Sequence, residues 1–368
     1  MQKKPLKILM VAPLKREVSQ DITAARNKFV FDLSKKLKEK GHNVSILGTG
    51  DSYIKGVKVI PVIKKAFNKV EKEFENPFYA HTAYLAKQAK MLSEIAGDFD
   101  VVHNHAYPEF LPLLCYDFSK TPILTTIHSQ LTKETDDALS LFKKGFFVAI
   151  SKSAKKLAKK TEIFQVVYNG IDTSLFKFNK KKKDYLLWIG RLSQAKNKKG
   201  NFMDPKGIRW AIKLAEETNE KLLLSGNVED IQFFKQEVRP HLSNKIKWVG
   251  KISKEQPLTK KEVSNLMSKA KVFLMTINWN EPFGLVMAEA QSCGTPVIAF
   301  RRGSAPELII NNKTGFLVDP KDKVKGLQRA LGAINTINPI DCRENAEKNF
   351  SLDKMVSKYE ETYYQILK

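Results

Sequence analysis

Apolar residues in the first half of the chain alternate between short unbroken runs and stretches with helical spacing. The runs at 7–12 and 44–47 are typical of strands buried inside a parallel sheet. Between them, 24–40 has apolar residues at the spacing of one helix face, and Gly41 is placed to end that helix. Further strands are predicted at 57–62, 100–103, 123–127 and 146–150, with a long helix through Tyr84 and Leu92. Strands that alternate with helices indicate a parallel sheet with crossover helices.

The same alternation restarts after a polar segment at 176–184, which contains four consecutive lysines and is the best linker candidate. Strands are predicted at 185–189, 221–224, 246–249, 272–277 and 296–300, and helices at 208–217, 261–269, 285–293 and 305–310. Residues 195–204 break the periodicity and are predicted to form a mobile loop. The tail, 352–367, is predicted to be a helix with one apolar face.

These patterns predict an α/β protein with two Rossmann-like, doubly wound domains. The first domain is predicted at 1–175, the second at 176–351, and the tail helix, 352–368, is expected to pack back on the first. A length of 368 residues fits two domains. Open parallel sheets bind ligands beyond the carboxyl ends of their strands, so we expect the ligand site in the cleft between the domains.

The composition excludes several classes of protein. The sequence contains no run of about 18 apolar residues that could span a membrane. The first apolar stretch continues as a strand without a small-residue cleavage site, which indicates no signal peptide and a cytoplasmic location. The three cysteines are far apart and predict neither a disulfide framework nor a metal site.

The net charge of +24 is unusually high. It has three interpretations: a peripheral contact with the anionic inner face of a membrane, a nucleic-acid partner, or a lysine-rich surface without a partner. Only nine of the 63 basic residues are arginine. Because arginine is the usual bidentate reader of phosphates and bases, we expect no nucleic-acid partner.

The segment 280–290 contains the most informative chemistry in the sequence. Glu281 lies at the exit of a predicted strand, and Gly284 allows the backbone to approach a ligand closely. The amides that follow begin a helix, where free N–H groups and the helix dipole favour an anion such as a diphosphate. Glu289 lies about one turn further along, and a carboxylate there can accept hydrogen bonds from a diol.

Glu281 and Glu289 resemble the paired glutamates of the retaining glycosyltransferases of family four, which have the GT-B fold. The resemblance is nearly collinear along the chain and strongest over 186–320. Further matching segments are Thr125 to His128, Tyr168 to Asp172, Gly190 to Leu192, Pro205 to Gly207, Gly303 to Glu307 and Thr314 to Val318. Several motifs in the family's order are more specific than any one of them.

The resemblance implies a role for each matching residue. Arg191 and Lys206 would bind the donor diphosphate and stabilise the departing nucleotide, Glu281 would hold sugar hydroxyls, and His128 would lie near the transferred sugar. The implied donor-binding set is Gly190, Arg191, Lys206, Glu281, Phe283, Gly284, Leu285 and Glu289. Catalysis would rest on His128, Arg191, Lys206 and Glu281, and the acceptor-side candidates are His103, His105 and Asn169. No metal and no cofactor are expected.

The sequence departs from the family pattern in two places. Family members often have a Gly-Gly pair in the first loop, where this chain has Thr23, Ala24 and Ala25. In addition, an insertion separates Arg191 from Lys206, so Lys196, Lys198 and Lys199 are alternative cations, although Lys206 with Gly207 fits the motif better.

Three other signals have weaker functional interpretations. Asp98 and Asp100 form a DxD triplet, the metal-binding motif of another glycosyltransferase class, but they precede a strand, at the end away from the site. His103 and His105 lack an evident third zinc ligand, which favours a structural or acceptor-lining role. The segment 64–74 could form a basic amphipathic helix on a membrane, suited to a lipid-linked acceptor, or a solvated surface helix.

The sequence therefore predicts transfer of a hexosyl unit from a nucleotide-diphosphate sugar, with UDP as the default nucleotide, to a hydroxyl acceptor that is a glycan, a lipid-linked sugar or a small molecule. Retention of configuration follows from the resemblance alone. A nucleotide-sugar epimerase of the same architecture and a catalytically inactive nucleotide-sugar-binding protein are the alternatives.

Overall fold

A computed structural model describes residues 4–22, 24–118, 120–254 and 258–368. The chain forms two compact units, one of Met1–Asn169 with Leu352–Lys368 and the other of Gly170–Ser351. Each unit contains one parallel sheet with helices, so the predicted α/β class is confirmed.

The sheet of the first unit has seven strands in the order β3-β2-β1-β4-β5-β6-β7. They are β1 (Lys7–Val11), β2 (Asn43–Thr49), β3 (Lys58–Ile63), β4 (Val101–Asn104), β5 (Ile123–Ile127), β6 (Phe146–Ala149) and β7 (Ile163–Val166). The α-helices before the second unit are α1 (Ala25–Glu39), α2 (Phe67–Val70), α3 (Pro77–Ile95), α4 (Lys133–Leu139) and α5 (Lys152–Lys155). The predicted strands of this half are confirmed, and β7 is an additional strand that the sequence analysis missed.

The sheet of the second unit has six strands in the order β10-β9-β8-β11-β12-β13. They are β8 (Leu186–Ile189), β9 (Leu222–Ser225), β10 (Ile246–Trp248), β11 (Val272–Met275), β12 (Val297–Phe300) and β13 (Gly315–Val318). Its helices are α6 (Ile208–Thr218), α7 (Ile231–Phe233), α8 (Lys260–Lys269), α9 (Leu285–Ser292), α10 (Ala305–Leu308), α11 (Lys323–Gly332) and α12 (Pro339–Phe350). Strand β13 and helices α7, α11 and α12 were not predicted from the sequence.

The C-terminal helix, α13 (Leu352–Ile366), follows α12 in sequence but belongs to the first unit. Its apolar face is buried in the core of that unit, as its spacing predicts. Two buried tyrosines reach the sheet, where the Tyr363 hydroxyl lies 2.7 Å from His103 Nδ1 and the Tyr359 hydroxyl lies 3.0 Å from Thr126 Oγ1. The tail is thus an integral part of the first unit.

The structure places the division between the units at Asn169 and Gly170, earlier than the predicted boundary after 175. The intervening residues are bonded to the second unit. The amide of Ile171 donates to the carbonyl of Phe350 at 2.8 Å, and Arg343 donates to the carbonyl of Phe176 at 2.8 Å. These bonds tie the segment to α12.

The predicted linker at 176–184 is wrong, because this lysine-rich segment packs on the second unit. Phe176 is buried, and Lys182 Nζ donates to the carbonyls of Ser268 and Cys293 and to Thr295 Oγ1. Burial lowers the pKa of Lys182 to about 8. The ammonium lies where α8 and α9 end, a position at which a cation satisfies exposed carbonyls.

Two predicted surface elements also differ from expectation. Residues 195–204 lie in the loop between β8 and α6, as predicted, but they contain a turn in which Lys196 and Phe202 are bridged as in antiparallel strands. The segment 64–74 contains only the short α2 and a 3-10 turn, not a continuous amphipathic helix. Phe67 is buried and stacks on His81 at 4.3 Å, so it is not available to a membrane. In the described part of the chain, no helix is long and apolar enough to cross a bilayer.

Candidate active site

The strand order of the second sheet reverses between β8 and β11, and the predicted donor-binding residues follow these two strands. Such a reversal point, beyond the carboxyl ends of the strands, is where open α/β sheets bind ligands. Gly190 follows β8, and the backbone is tightly packed there. A Cβ at Gly226, whose φ is +144°, would lie 1.5 Å from the carbonyl oxygen of Gly190. The backbones after β8 and β9 therefore approach each other closely beside the site.

Lys206 and Glu281 meet in this region. Lys206 Nζ lies 2.5 Å from Glu281 Oε2, and both side chains are mostly buried. Trp279 adds a second contact to each partner, because its Nε1 donates to Glu281 Oε2 at 3.0 Å and its ring centroid lies 5.0 Å from Lys206 Nζ. The cluster thus presents a cation and a carboxylate in fixed positions.

Lys206 is held by a turn whose polar groups are satisfied from several sides. Asp204 Oδ1 accepts from the amides of Gly207 and Ile208, and the Thr276 hydroxyl donates to the carbonyl of Gly207 at 2.6 Å. Burial raises the pKa of Asp204, and the backbone amides oppose that shift. Asn278 Nδ2 donates to the carbonyl of Asp204 at 2.7 Å. The turn before α6 is therefore fastened to the end of β11.

The loop of Glu281 is fastened to the loop that follows β12. The amide of Ser304 donates to the carbonyl of Glu281 at 3.0 Å, and the Ser304 hydroxyl donates to the carbonyl of Phe283 at 2.5 Å. The Phe283 side chain is buried against Phe350, with ring centroids 6.0 Å apart, so this residue can offer a ligand only its backbone.

The start of α9 also belongs to the candidate site. Gly284 precedes the helix with φ +79°, a conformation that favours glycine, and Leu285 is the first helical residue. The first amides of a helix have no partner within it and attract an anion. Glu289 is buried one turn further along, with Oε1 3.3 Å from Lys260 Nζ.

Arg191 is exposed and pairs with Glu229, with 3.2 Å between Nη1 and Oε1. Among the alternative cations of the insertion, Lys196 Nζ lies over the Phe202 ring at 4.6 Å. In the described structure Lys206 is the cation paired with Glu281, which supports its choice over the lysines of the insertion.

The predicted histidines of the first unit lie together at the carboxyl ends of β4 and β5. His103 is fully buried, and its Nε2 lies 2.8 Å from Thr126 Oγ1 while its Nδ1 contacts Tyr363. His105 is also fully buried, and its Nδ1 lies 2.9 Å from Nε2 of the partly exposed His128. Both ring nitrogens of His103 thus have protein partners, which supports a structural role.

Arg26, at the start of α1, was missed by the sequence analysis. Its Nη2 lies 2.8 Å from Glu109 Oε1, and it donates to the Ser129 hydroxyl and the carbonyl of Ala106. These bonds join α1 to the loops after β4 and β5.

Ala24, in the place of the family's glycine pair, has φ −65°, which any residue adopts without strain, and Thr23 lies outside the described residues.

Two other sequence signals can be placed. Asp100 Oδ2 accepts from the amide of Lys7 at 2.7 Å, at the amino ends of the strands, away from the site. Asn169 is buried, and its Oδ1 has no hydrogen-bond partner among the described residues. No group of three or more His, Cys, Asp or Glu side chains in the described ranges is arranged to hold a metal ion. Metal independence stays a prediction.

Burial keeps the three histidines neutral and links the stability of the first unit to pH. Burial lowers the pKa of His103 to about 3 and the pKa values of His105 and His128 well below 6.5, and the neighbouring Arg26 and His103 contribute to the shift of His128. The unfolded chain therefore binds protons first on acidification. We expect the free energy of unfolding to fall from pH 6.5 towards pH 5, by about 1.4 kcal/mol per pH unit for each such histidine.

Urea unfolding followed by circular dichroism across this pH range measures the slope. His103→Asn removes one titrating group and should reduce the slope of the unfolding free energy against pH. Tyr363→Phe removes a hydrogen bond and should lower the free energy of unfolding at every pH while the slope stays the same. Equal slopes in wild type and His103→Asn would show that His103 does not cause the pH dependence.

Two family models match the chain in succession. Glycosyltransferase Family 4 matches residues 27–175, and Glycosyl transferases group 1 matches residues 171–349. Two units, each with one parallel sheet and its helices, match the structures of glycosyltransferases with the GT-B fold. The chain belongs to the group 1 glycosyltransferases of family 4.

Individual relatives agree with this assignment. N-acetyl-alpha-D-glucosaminyl L-malate synthase of Bacillus anthracis is 27% identical, over 92% of this chain and 93% of the relative. Sucrose-phosphate synthase of Thermosynechococcus elongatus has a TM-score of 0.75 at 17% identity, over 98% of each chain. Anabaena HepE in complex with UDP and glucose has a TM-score of 0.69 at 17% identity, over 98% of this chain and all of that one.

Proposed function

We propose that this glycosyltransferase moves a hexosyl unit from a nucleotide-diphosphate sugar to a hydroxyl acceptor, with retention of configuration and without a metal ion. The observation that carries the proposal is the Lys206–Glu281 ion pair beside the start of α9, at the reversal point of the second sheet. A cation, a carboxylate and a helix start together match a ligand with both a diphosphate and sugar hydroxyls.

The polar groups divide naturally between the two parts of such a donor. The start of α9 and Lys206 would receive the diphosphate, with Arg191 as a second cation from the end of β8. Glu281 would accept hydrogen bonds from sugar hydroxyls, and Glu289 would accept them from the ribose diol. Each of these charged groups already has a protein partner of opposite charge. Lys206 pairs with Glu281, Arg191 with Glu229, and Glu289 with Lys260. The donor would replace these partners in part.

In the proposed reaction, the bond between the anomeric carbon and the diphosphate oxygen breaks, and its electron pair goes to that oxygen. The acceptor hydroxyl attacks the same face of the sugar, and its proton passes to the leaving phosphate. Lys206 and Arg191 would stabilise the growing negative charge, which is the usual source of large rate gains. His128 would contact the transferred sugar.

The relatives bear on the nucleotide and on the acceptor. The Anabaena relative was crystallised with UDP and glucose, which supports UDP as the nucleotide. The relatives' names imply different acceptors, since one is an N-acetyl-alpha-D-glucosaminyl L-malate synthase and another is a phosphatidyl-myo-inositol mannosyltransferase. The cytoplasmic location and the peripheral membrane contact stay predictions from sequence and charge.

A panel of UDP-, GDP- and ADP-sugars, each with and without EDTA, tests the proposal. We expect slow hydrolysis of one donor that EDTA does not abolish, with the sugar released as the donor's own anomer when followed by NMR at early times. Release of an epimerised sugar would support the epimerase alternative. Nucleotide binding without turnover, even with sugar, glycerol-lipid and small hydroxy-acid acceptors, would support the inactive binding protein.

A further inference from the structure

His105 is buried beside His128, and one of its ring nitrogens has no hydrogen-bond partner among the described residues. Its Nδ1 lies 2.9 Å from His128 Nε2, and its Nε2 has no hydrogen-bond partner among the described residues. The ring packs against His103 at a centroid distance of 3.9 Å and against Phe29 at 5.2 Å. The His105 side chain is fully buried.

The hydrogen bond between the two histidines contains a single proton. Which ring carries that proton determines whether His128 Nδ1 is a hydrogen-bond donor or an acceptor. If His105 Nδ1 donates, His128 carries its own proton on Nδ1 and becomes a donor there. If His128 Nε2 donates, its Nδ1 is an acceptor, and His105 must bury an N–H at Nε2 without a partner. Buried N–H groups without an acceptor are rarer than under-satisfied acceptors, which favours the first arrangement.

Burial lowers the pKa values of both histidines and so keeps the pair neutral, and the nearby Arg26 adds to the shift. The pair is faced by Arg26 from α1, which is bonded to Glu109, and by His103 from β4, and the uncharged ring of Phe29 packs against both histidines. The Phe29 ring meets His128 edge-on at 4.7 Å and limits its rotation. His128 is thus held by one hydrogen bond and one ring contact.

We propose that His105 is a positioning residue, which holds His128 in the Nδ1–H tautomer so that His128 donates a hydrogen bond to the sugar or phosphate oxygens of the substrate. This inference rests on the proposed function of His128 as a substrate contact. It makes His128 a hydrogen-bond donor rather than a general base, in agreement with a reaction in which the leaving phosphate takes the acceptor's proton.

Two substitutions at His105 separate positioning from packing. Asparagine places its amide close to the former Nδ1 and can still donate to His128, whereas glutamine places its amide closer to the former Nε2 and loses that bond. We expect kcat for donor hydrolysis to fall by roughly ten- to a hundredfold in His105→Gln, the range seen when a metal-bound histidine loses the partner that orients it, and to recover in large part in His105→Asn. KM should change little.

The tautomer of His128 is measured directly by two-bond ¹⁵N–¹H correlation spectra of protein labelled at histidine, assigned with His128→Gln. The proposal predicts the Nδ1–H form in wild type and in His105→Asn, and a mixture or the Nε2–H form in His105→Gln. Tyr363→Phe is the control, because it removes the hydrogen bond to His103 in the same buried region. It should leave the His128 signals unchanged.

Donor turnover and the tautomer of His128 test different claims: turnover tests the proposed function, and the tautomer tests the role of His105. An Nε2–H tautomer in wild type, or the same tautomer in wild type and His105→Gln, overturns the inference even if the protein transfers sugar. The predicted tautomers in a protein that turns over no donor would leave His105 as the residue that orients His128, and would contradict the proposed function instead.

Discussion

Replacement of Lys206 by methionine should reduce turnover of the nucleotide sugar by roughly a hundred- to a thousandfold. The loss corresponds to about 2.7–4 kcal/mol, typical for removal of one group that stabilises charge in a transition state. Lys206 Nζ is bonded to Glu281 in a mostly buried position, so the substitution also leaves that carboxylate without its cation. Methionine retains most of the side-chain volume. Initial rates at saturating donor measure the effect.

Lys271→Met is a closely matched control. Lys271 belongs to the same unit, has a similar exposure of 22% against 21% for Lys206, and pairs with Glu220 at 2.7 Å. It should retain turnover within a factor of two or so, because its ion pair lies outside the proposed site. Equal losses in the two variants would indicate general destabilisation and would remove Lys206 from the proposed mechanism.

Substitution of Gly207 by alanine should destabilise the second unit by more than about 4 kcal/mol, a size that points to a specific structural conflict. Gly207 has φ +74°, and a Cβ there would lie 1.6 Å from the carbonyl oxygen of Thr276. The turn before α6 and the end of β11 must therefore separate, and this movement carries Lys206 away from Glu281. Activity should fall even where the protein remains folded.

Gly200→Ala controls for the backbone conformation alone. Gly200 has φ +78°, almost equal to that of Gly207, but a Cβ there would meet nothing within 4 Å. Its cost should be about 1–2 kcal/mol, from the left-handed conformation. All four tryptophans lie between Trp188 and Trp279, so urea unfolding followed by tryptophan fluorescence reports on the second unit. Equal destabilisation by both substitutions would refute the proposed clash.

Local sequence patterns predicted most of the fold because each signal was contained within its own segment. The buried runs of β1, β4, β5, β11 and β12 and the apolar face of α13 follow directly from residue spacing. The missed strands have weaker patterns. Strand β7 is an edge strand with only one fully buried residue, Ile163, and β13 is also an edge strand with two partly exposed apolar residues.

The lysine-rich segment shows why charge alone misled the sequence analysis. Four consecutive lysines suggested a solvated linker, yet Lys182 is folded onto carbonyls that belong to residues far away in sequence. No local pattern reveals that the ends of α8 and α9 converge near this segment. Only the tertiary structure supplies partners for a buried ammonium.

The site was predicted residue by residue only where motifs exist. Lys206, Glu281 and Gly284 follow from the family resemblance, and the structure brings the first two into contact. Their supports do not follow from it. The side chains of Asp204 and Ser304 bond to backbone groups of other residues, contacts that no motif specifies even though Ser304 lies in a matching segment. The partner of Arg191, Glu229, comes from the loop after β9. Such contacts depend on how separate loops meet, which the spacing of a motif does not encode.

Binding of nucleoside diphosphates to the full-length protein tests the central claim most directly. Calorimetric titration with UDP, GDP, ADP and UMP in EDTA should show one diphosphate that binds with a micromolar Kd, and UMP should bind much more weakly if UDP is that ligand. The same diphosphate should bind Lys271→Met as it binds wild type and Lys206→Met at least tenfold more weakly. Failure of all three diphosphates to bind, or equal binding to Lys206→Met, would contradict the proposed donor site at Lys206 and Glu281.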